Sequence, residues 1–263
     1  MLIHFQRGDL SLRQAAGPAE VLACQKLRYR VFYEERGFSG DEGTDADRFD
    51  AICDHLVVVR ASANPGAIML QDGELVGTYR LLRQDAAELH GGFYTQSEFD
   101  VAPLLAAHPT LRFLELGRSC VLKPYRTKPV VELLWQGIWN YVRAHKIDVM
   151  FGCASLEGTD PEPHADALSF LAQNAVAPPE WRIRALPARY VEMNRRKDAV
   201  DPRTALRALP PLIKGYLRLG CYIGEGAVID HQFNTIDVAI VLPVSAIDPR
   251  YFGKFGQPGD SQR

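Results

Sequence analysis

Apolar and polar positions alternate in two rhythms along this 263-residue chain, and the switches between them mark out its elements. Leu10–Gln14 has the period-two spacing of a short strand. Gly17-Pro18 signals a helix start, and the residues after it carry Val21, Leu22, Cys24, Leu27, Val31 and Phe32 on one stripe that ends at Gly37. A polar loop follows from Ser39 to about Asp50, holding Asp41, Glu42, Asp45, Asp47 and Asp50. HLVVVRA (55–61) and AIMLQDGELVGTYRLLR (67–83) then read as antiparallel strands, turning at Pro65-Gly66 and Asp72-Gly73.

Residues 84–110 are irregular apart from a short helical piece at 101–107. LRFLELGRSCV (111–121) predicts a largely buried strand. Pro129 suits the first turn of the next helix, where Val130, Leu133, Leu134, Ile138 and Tyr141 recur at helical spacing. DVMFGCASL (148–156) predicts a strand, ADALSFLAQ (165–173) a helix, and RALPARYVEM (184–193) a strand with a proline kink or bulge. The charged residues 194–210 read as an exposed connection, LPPLIKGYLRLGCYIG (209–224) as a helix closing near Gly220, and NTIDVAIVLPVS (234–245) as a final strand. Hairpins early and crossovers late predict one α+β domain over residues 1–263, its mixed central sheet covered by helices on both faces.

Thirty Lys and Arg against 32 Asp and Glu leave no global basic field, so no nucleic-acid partner is expected and any anionic partner must meet a local patch. The five cysteines are scattered, with no metal-ligand spacing, which suits reduced thiols. The N-terminus has no long apolar core and no run approaches a membrane span, so the chain is expected to stay inside the cell.

Chemistry is expected first in FLELGRSCV, where Glu115 and Arg118 interrupt an apolar strand. A buried carboxylate and guanidinium are costly unless paired or employed. The bland alternative is a structural ion pair between them. Cys120 and Cys153 could take an acyl group covalently, although buried strand cysteines are usually inert. His55 could act as a base or be a satisfied core histidine.

LRYRVFYEERGF, the acidic loop ending RFD, GTYRLL and ELGRSCV, with the tail LPPLIKGYLRLGCYIGEGAVID and NTIDVAIVLP, resemble the hemolysin-like, GNAT-related acyltransferases. Within that group they resemble the ornithine acyl-carrier-protein N-acyltransferases of ornithine lipid synthesis, over about residues 20–250. A more distant resemblance is to acyl-homoserine-lactone synthases, through the pattern R-x-x-x-F, D-x-x-D and E-x-x-R. On that pattern Arg28 and Phe32 fall on the first pair, and Phe38 on a following aromatic where the lactone synthases usually have tryptophan. Asp47 and Asp50 fall on the acidic loop, Arg80 on a strand arginine, and Glu115 with Arg118 on the last motif.

The resemblance implies a GNAT-like acyltransferase fold and transfer of a 3-hydroxy fatty acyl group from acyl carrier protein to the α-amino group of ornithine. It implies no bound metal or redox cofactor, the donor being the acyl-phosphopantetheine of the carrier. Glu115 is then the candidate base, with Arg118 in the same motif. Asp45, Asp47 and Asp50 are candidates for the side-chain ammonium of ornithine, and Arg28 or Arg80 for its carboxylate, with Phe32 and Phe38 beside them. PYRTKP stands where relatives carry a Gly-rich pyrophosphate loop, so Arg126, Thr127 and Lys128 are candidates for the single phosphate of phosphopantetheine. Arg143, Lys146, Arg195, Arg196 and Lys197 are candidates for docking the acidic carrier. Tyr216 and Tyr222 are candidate proton donors to the leaving thiolate. A lipid-like product also implies peripheral contact with the inner membrane face. The rival readings are another amine acceptor, an acyl coenzyme A donor, or a non-catalytic acyl-binding protein.

Overall fold

The computed structural model describes residues 3–37 and 43–248. In chain order the first elements are β1 (His4–Arg7), β2 (Leu10–Gln14), α1 (Pro18–Phe32), β3 (Asp54–Arg60), β4 (Met69–Leu70), β5 (Gly73–Arg83) and α2 (Gln84–Leu89). Next come β6 (Phe99–Asp100), α3 (Ala102–Ala107), β7 (Phe113–Val121), α4 (Lys128–His145), β8 (Val149–Glu157) and α5 (Ala165–Asn174). The last are β9 (Arg184–Ala185), β10 (Tyr190–Val191), α6 (Pro202–Ala208), α7 (Pro211–Leu219), β11 (Tyr222–Asp230) and β12 (Thr235–Pro243).

The chain forms two compact units. Of the described residues, the first holds those up to Gly91 together with Leu116–Lys146, and the second holds Gly92–Glu115 and those from Ile147 on.

In the first unit β1, β2, β3 and β5 pair in succession as antiparallel neighbours, and the later part of β7 lies beside β5. The period of two in β3 sends its side chains to opposite faces. Val57 and Val59 pack with Ala23, Cys24, Leu27 and Val31 of α1, while Leu56 meets α4 at Gly137. Each face of this sheet therefore has its helix. Gly137 is needed there because a Cβ would come within 2.6 Å of Leu12 and 3.1 Å of Leu56. The expected helix start at Pro18 and the proline in the first turn of α4 are both present.

In the second unit Phe113–Glu115 pairs parallel to Val149–Phe151, β8 pairs antiparallel to β12 along its length, and β12 pairs antiparallel to β11. Short β9 lies parallel to β11 and antiparallel to β6, so this sheet is mixed. Helix α5 packs on β11 and α6, and α7 packs on β12.

Several elements depart from the sequence expectation. The charged stretch 194–210 contains α6, whose start is capped by Asp201 accepting from the Arg203 and Thr204 N–H groups, with Pro202 in the first turn. The residues that suggested a linker are a capping signal. The expected strand 184–193 divides into β9 and β10 on either side of Pro187. Strand β11 has no counterpart in the expectation, because Gly224 and Gly226 dilute its apolar pattern at a register shift. Gly226 has φ +79°, and a Cβ there would stand 2.4 Å from the Tyr190 ring. Helix α2 and the N-terminal strand β1 also lie in segments with too few periodic apolar positions to announce them.

Candidate functional site

In the first unit the acidic loop is drawn inward by three arginines from three different elements. Arg28 lies on the buried stripe of α1 beside Cys24, Leu27 and Val31, and is fully buried. Its Nε donates to Asp45 Oδ2 at 2.8 Å and its Nη2 to Asp50 Oδ2 at 2.7 Å. Arg80 of β5 donates from Nη1 to Asp47 Oδ1 at 2.7 Å and Asp50 Oδ1 at 3.1 Å. Arg118 of β7 has left-handed backbone, φ 51°, and donates to Asp45 Oδ2 and Asp47 Oδ2, both at 3.2 Å.

These six groups close a ring in which arginine and aspartate alternate: Arg28, Asp45, Arg118, Asp47, Arg80, Asp50 and back to Arg28. Every carboxylate is shared by two arginines. Burial pushes the Asp50 carboxyl up, but the bond from Arg28 and the charges of Arg28 and Arg80 outweigh it and hold the group below the usual carboxylate range. The loop also folds on itself, with the Asp47 N–H donating to Asp50 Oδ2 and the Phe49 N–H to Asp47 Oδ1. Asp47 is the most open member, its side chain 22% exposed against 3% and 4% for Asp45 and Asp50.

Two polar atoms beside the ring are buried without a hydrogen-bond partner, Arg28 Nη1 and His55 Nδ1. His55 Nε2 faces the Asp50 carbonyl at 3.1 Å, so that nitrogen carries the proton, and burial pushes the imidazole pKa down. This is a neutral core histidine. Phe32 packs against the α1 core cluster, and Phe38 lies outside the described residues.

Glu115 sits in the second unit, buried in β7. Its Oε2 accepts from the Tyr94 N–H at 2.9 Å and its Oε1 from the Thr95 N–H at 2.6 Å, at the start of the 3-10 turn Tyr94–Ser97. Both carboxylate oxygens are thereby held by the backbone of that turn. Thr95 Oγ1 stands 3.7 Å from Cys153 Sγ, and that thiol donates to Glu98 Oε2 at 3.3 Å. Glu98, Cys153 and Asp237 bring one ligand-type atom each to within 4.8 Å of one another. Sequence reasoning passed over Glu98 and Asp237, although an aspartate inside the apolar run NTIDVAIVLP was a signal of the same kind as Glu115.

Burial pushes the Cys120 thiol up, and burial with the charge of Glu98 does the same to Cys153. Neither offers a thiolate near neutral pH. Tyr216 is buried in α7, and Tyr222 is half-buried at the start of β11.

In the basic turn Arg126 donates from Nε to the Val121 carbonyl at 3.0 Å and pairs with Glu35, which also accepts the Lys123 N–H at 3.1 Å. Lys128 is 80% exposed and stands 3.7 Å from Glu132. Thr127 is exposed at the N-cap of α4 and makes no side-chain cap bond. Among the candidates for carrier docking, Arg195 and Arg196 pair with Glu162 and Asp166, while Lys146 and Lys197 are exposed.

A model of the acetyltransferase (GNAT) domain matches residues 27–136. The L-ornithine N(alpha)-acyltransferase of Agrobacterium fabrum is 50% identical over 262 residues, 97% of this chain and 87% of that protein. The protein of the same name from Rhizobium meliloti is 52% identical over 254 residues, 94% of this chain and 84% of its own. Among solved structures, FeeM, an N-acyl amino acid synthase from uncultured soil microbes, shares the fold with a TM-score of 0.52 at 12% identity, covering 92% of this chain and 97% of that one. The chain belongs to the L-ornithine N(alpha)-acyltransferase family and is an N-acyltransferase of GNAT fold.

Proposed function

We propose that the protein transfers a 3-hydroxylated fatty acyl group from the phosphopantetheine thioester of acyl carrier protein to the α-amino group of ornithine, giving lyso-ornithine lipid. The observation that carries this reading is the identity of about half the residues, over nearly the whole chain, to relatives named for acylating the α-nitrogen of ornithine. The amine must lose a proton before it attacks the thioester, because an α-ammonium is largely protonated at neutral pH. Glu115 is the proton acceptor in this reading. The two backbone N–H bonds fix the orientation of its carboxylate. Attack is direct, since the raised thiols of Cys120 and Cys153 supply no activated nucleophile.

Lys128, Thr127 and Arg126 at the start of α4 are proposed to meet the phosphate of the donor arm, where side-chain cations supplement the first-turn amides. The experiment that tests the whole reading supplies purified protein with 3-hydroxyacyl carrier protein and ornithine and follows acyl-ornithine by mass spectrometry. Acyl coenzyme A and lysine serve as competing donor and acceptor. Turnover with coenzyme A alone would overturn the donor assignment, and lysine preferred to ornithine would overturn the acceptor.

Asp47 is the ring member open enough to meet the side-chain ammonium of ornithine. Asp47→Asn is expected to raise the KM for ornithine about tenfold or more, the scale of one lost charge-assisted hydrogen bond. An unchanged KM in steady-state kinetics would remove Asp47 from substrate binding. Peripheral membrane contact also belongs to this reading, because the product is lipid-like. Among the described residues no helix is long and apolar enough to cross a membrane. The protein is expected to float with liposomes containing anionic lipid, and its absence from the lipid layer would remove that contact.

A further inference from the structure

The turn that holds Glu115 is itself tied down by an acidic side chain to which nothing above gives a role. Glu98 follows the turn directly, and its backbone N–H donates to the Thr95 carbonyl at 3.0 Å. Its side chain then comes back to the turn through sulfur: Oε2 accepts the Cys153 thiol at 3.3 Å, and Cys153 Sγ lies 3.7 Å from Thr95 Oγ1. Thr95 is the residue whose N–H makes the 2.6 Å bond to Glu115. The path from Glu98 to Glu115 thus passes through two side chains.

The charged and titratable groups that face Glu98 come from every element around it: Cys153 on β8, Asp237 on β12, Asp230 at the end of β11, and Arg189 ahead of β10. Of these groups Arg189 is the cation, standing 3.5 Å from Glu98 Oε1 and itself about one-third exposed. Glu98 is 1% and Asp237 5% exposed. Two carboxylates buried this closely cannot both ionise cheaply.

We propose that Glu98 is a positioning residue for the acylation reaction, acting through Cys153 and Thr95 on the turn whose amides hold Glu115, and that it does so while uncharged. Burial and the charge of Asp237 push the Glu98 carboxyl up to about 7. Below that value the Glu98–Asp237 pair carries no more than one negative charge. Above it a second negative charge faces Asp237, the cluster opens, and the amides that orient Glu115 move with Thr95. The proposal rests on the reading of Glu115 as the proton acceptor.

The test compares kcat/KM for ornithine in the wild type and in Glu98→Gln from pH 6 to 9. The readout is the ratio of the two at each pH. That ratio is expected to rise in favour of the variant above about pH 7, by up to about tenfold per pH unit for a single ionisation, because a neutral amide keeps the cluster closed. A ratio that stays flat across the range overturns the proposal. Cys153→Ala supplies a second readout at pH 6.5, where it is expected to lower kcat, and Cys153→Ser to restore it by renewing the hydrogen bond. Wild-type kcat in the alanine variant also overturns the proposal. Full activity in Glu115→Gln would remove the reading of Glu115 itself, an outcome distinct from a flat ratio.

Discussion

Arg28→Ala is expected to destabilise the protein by about 3–5 kcal/mol, the scale found when one partner of a buried ion pair is removed. The substitution leaves Asp45 and Asp50 each without one of its two arginines, in a setting where both carboxylates are nearly inaccessible to water. Arg118 and Arg80 are then the arginines left to oppose desolvation, with neutral donors from Gln25 and the Asp47 N–H on Asp50. Urea unfolding at pH 7 measures the loss, and a change below about 1 kcal/mol would show that the ring is not holding the loop. The pH dependence should change with it. Asp50 titrates below its ordinary range in the folded protein, so its contribution is fully present above the unfolded value of about 4 and is lost as the pH falls further. The variant should lose stability less steeply on acidification than the wild type, because the largest source of that depression is gone.

Glu115→Gln is expected to lower kcat by about 10²–10⁴-fold, the usual contribution of a positioned general base. The amide keeps one oxygen for the turn but sets an NH₂ group against the second backbone N–H, so some stability is lost as well. The two effects separate by temperature. A proton-transfer role leaves the rate defect in place at temperatures where the variant is fully folded by circular dichroism. A merely structural role gives a defect that vanishes there, and that result would return Glu115 to the framework.

The residues that matter most were legible because they break an apolar pattern. Glu115 and Arg118 stand out inside FLELGRSCV, and Arg28 stands on the stripe of α1 among Cys24, Leu27 and Val31. Their partners were less legible. Ornithine-binding roles for Asp47, Asp50, Arg28 and Arg80 were expected separately, whereas the structure bonds these four to one another and adds Asp45 and Arg118 to close the ring. Arg118 and Asp45 are 73 positions apart, and no local rhythm reports a contact of that span. Strands were legible where apolar residues ran on nearly unbroken, as in β3 and β12, and illegible where glycine or proline replaced apolar positions, as in β11 and at the break between β9 and β10. Helix α6 is hidden for a different reason: its cap and its proline read as the composition of a linker although they are punctuation.

The alternating ring has a consequence for how this sequence can vary among descendants. A surface ion pair can be lost one member at a time, because water takes over from the missing partner. In the ring every member serves two neighbours, so loss of any one charge leaves two opposite charges short of a partner. No single substitution leads smoothly from six charges to an apolar cluster of the same volume, even where that cluster would be equally stable. Lineages that keep the fold should therefore retain the six residues together or replace several of them at once.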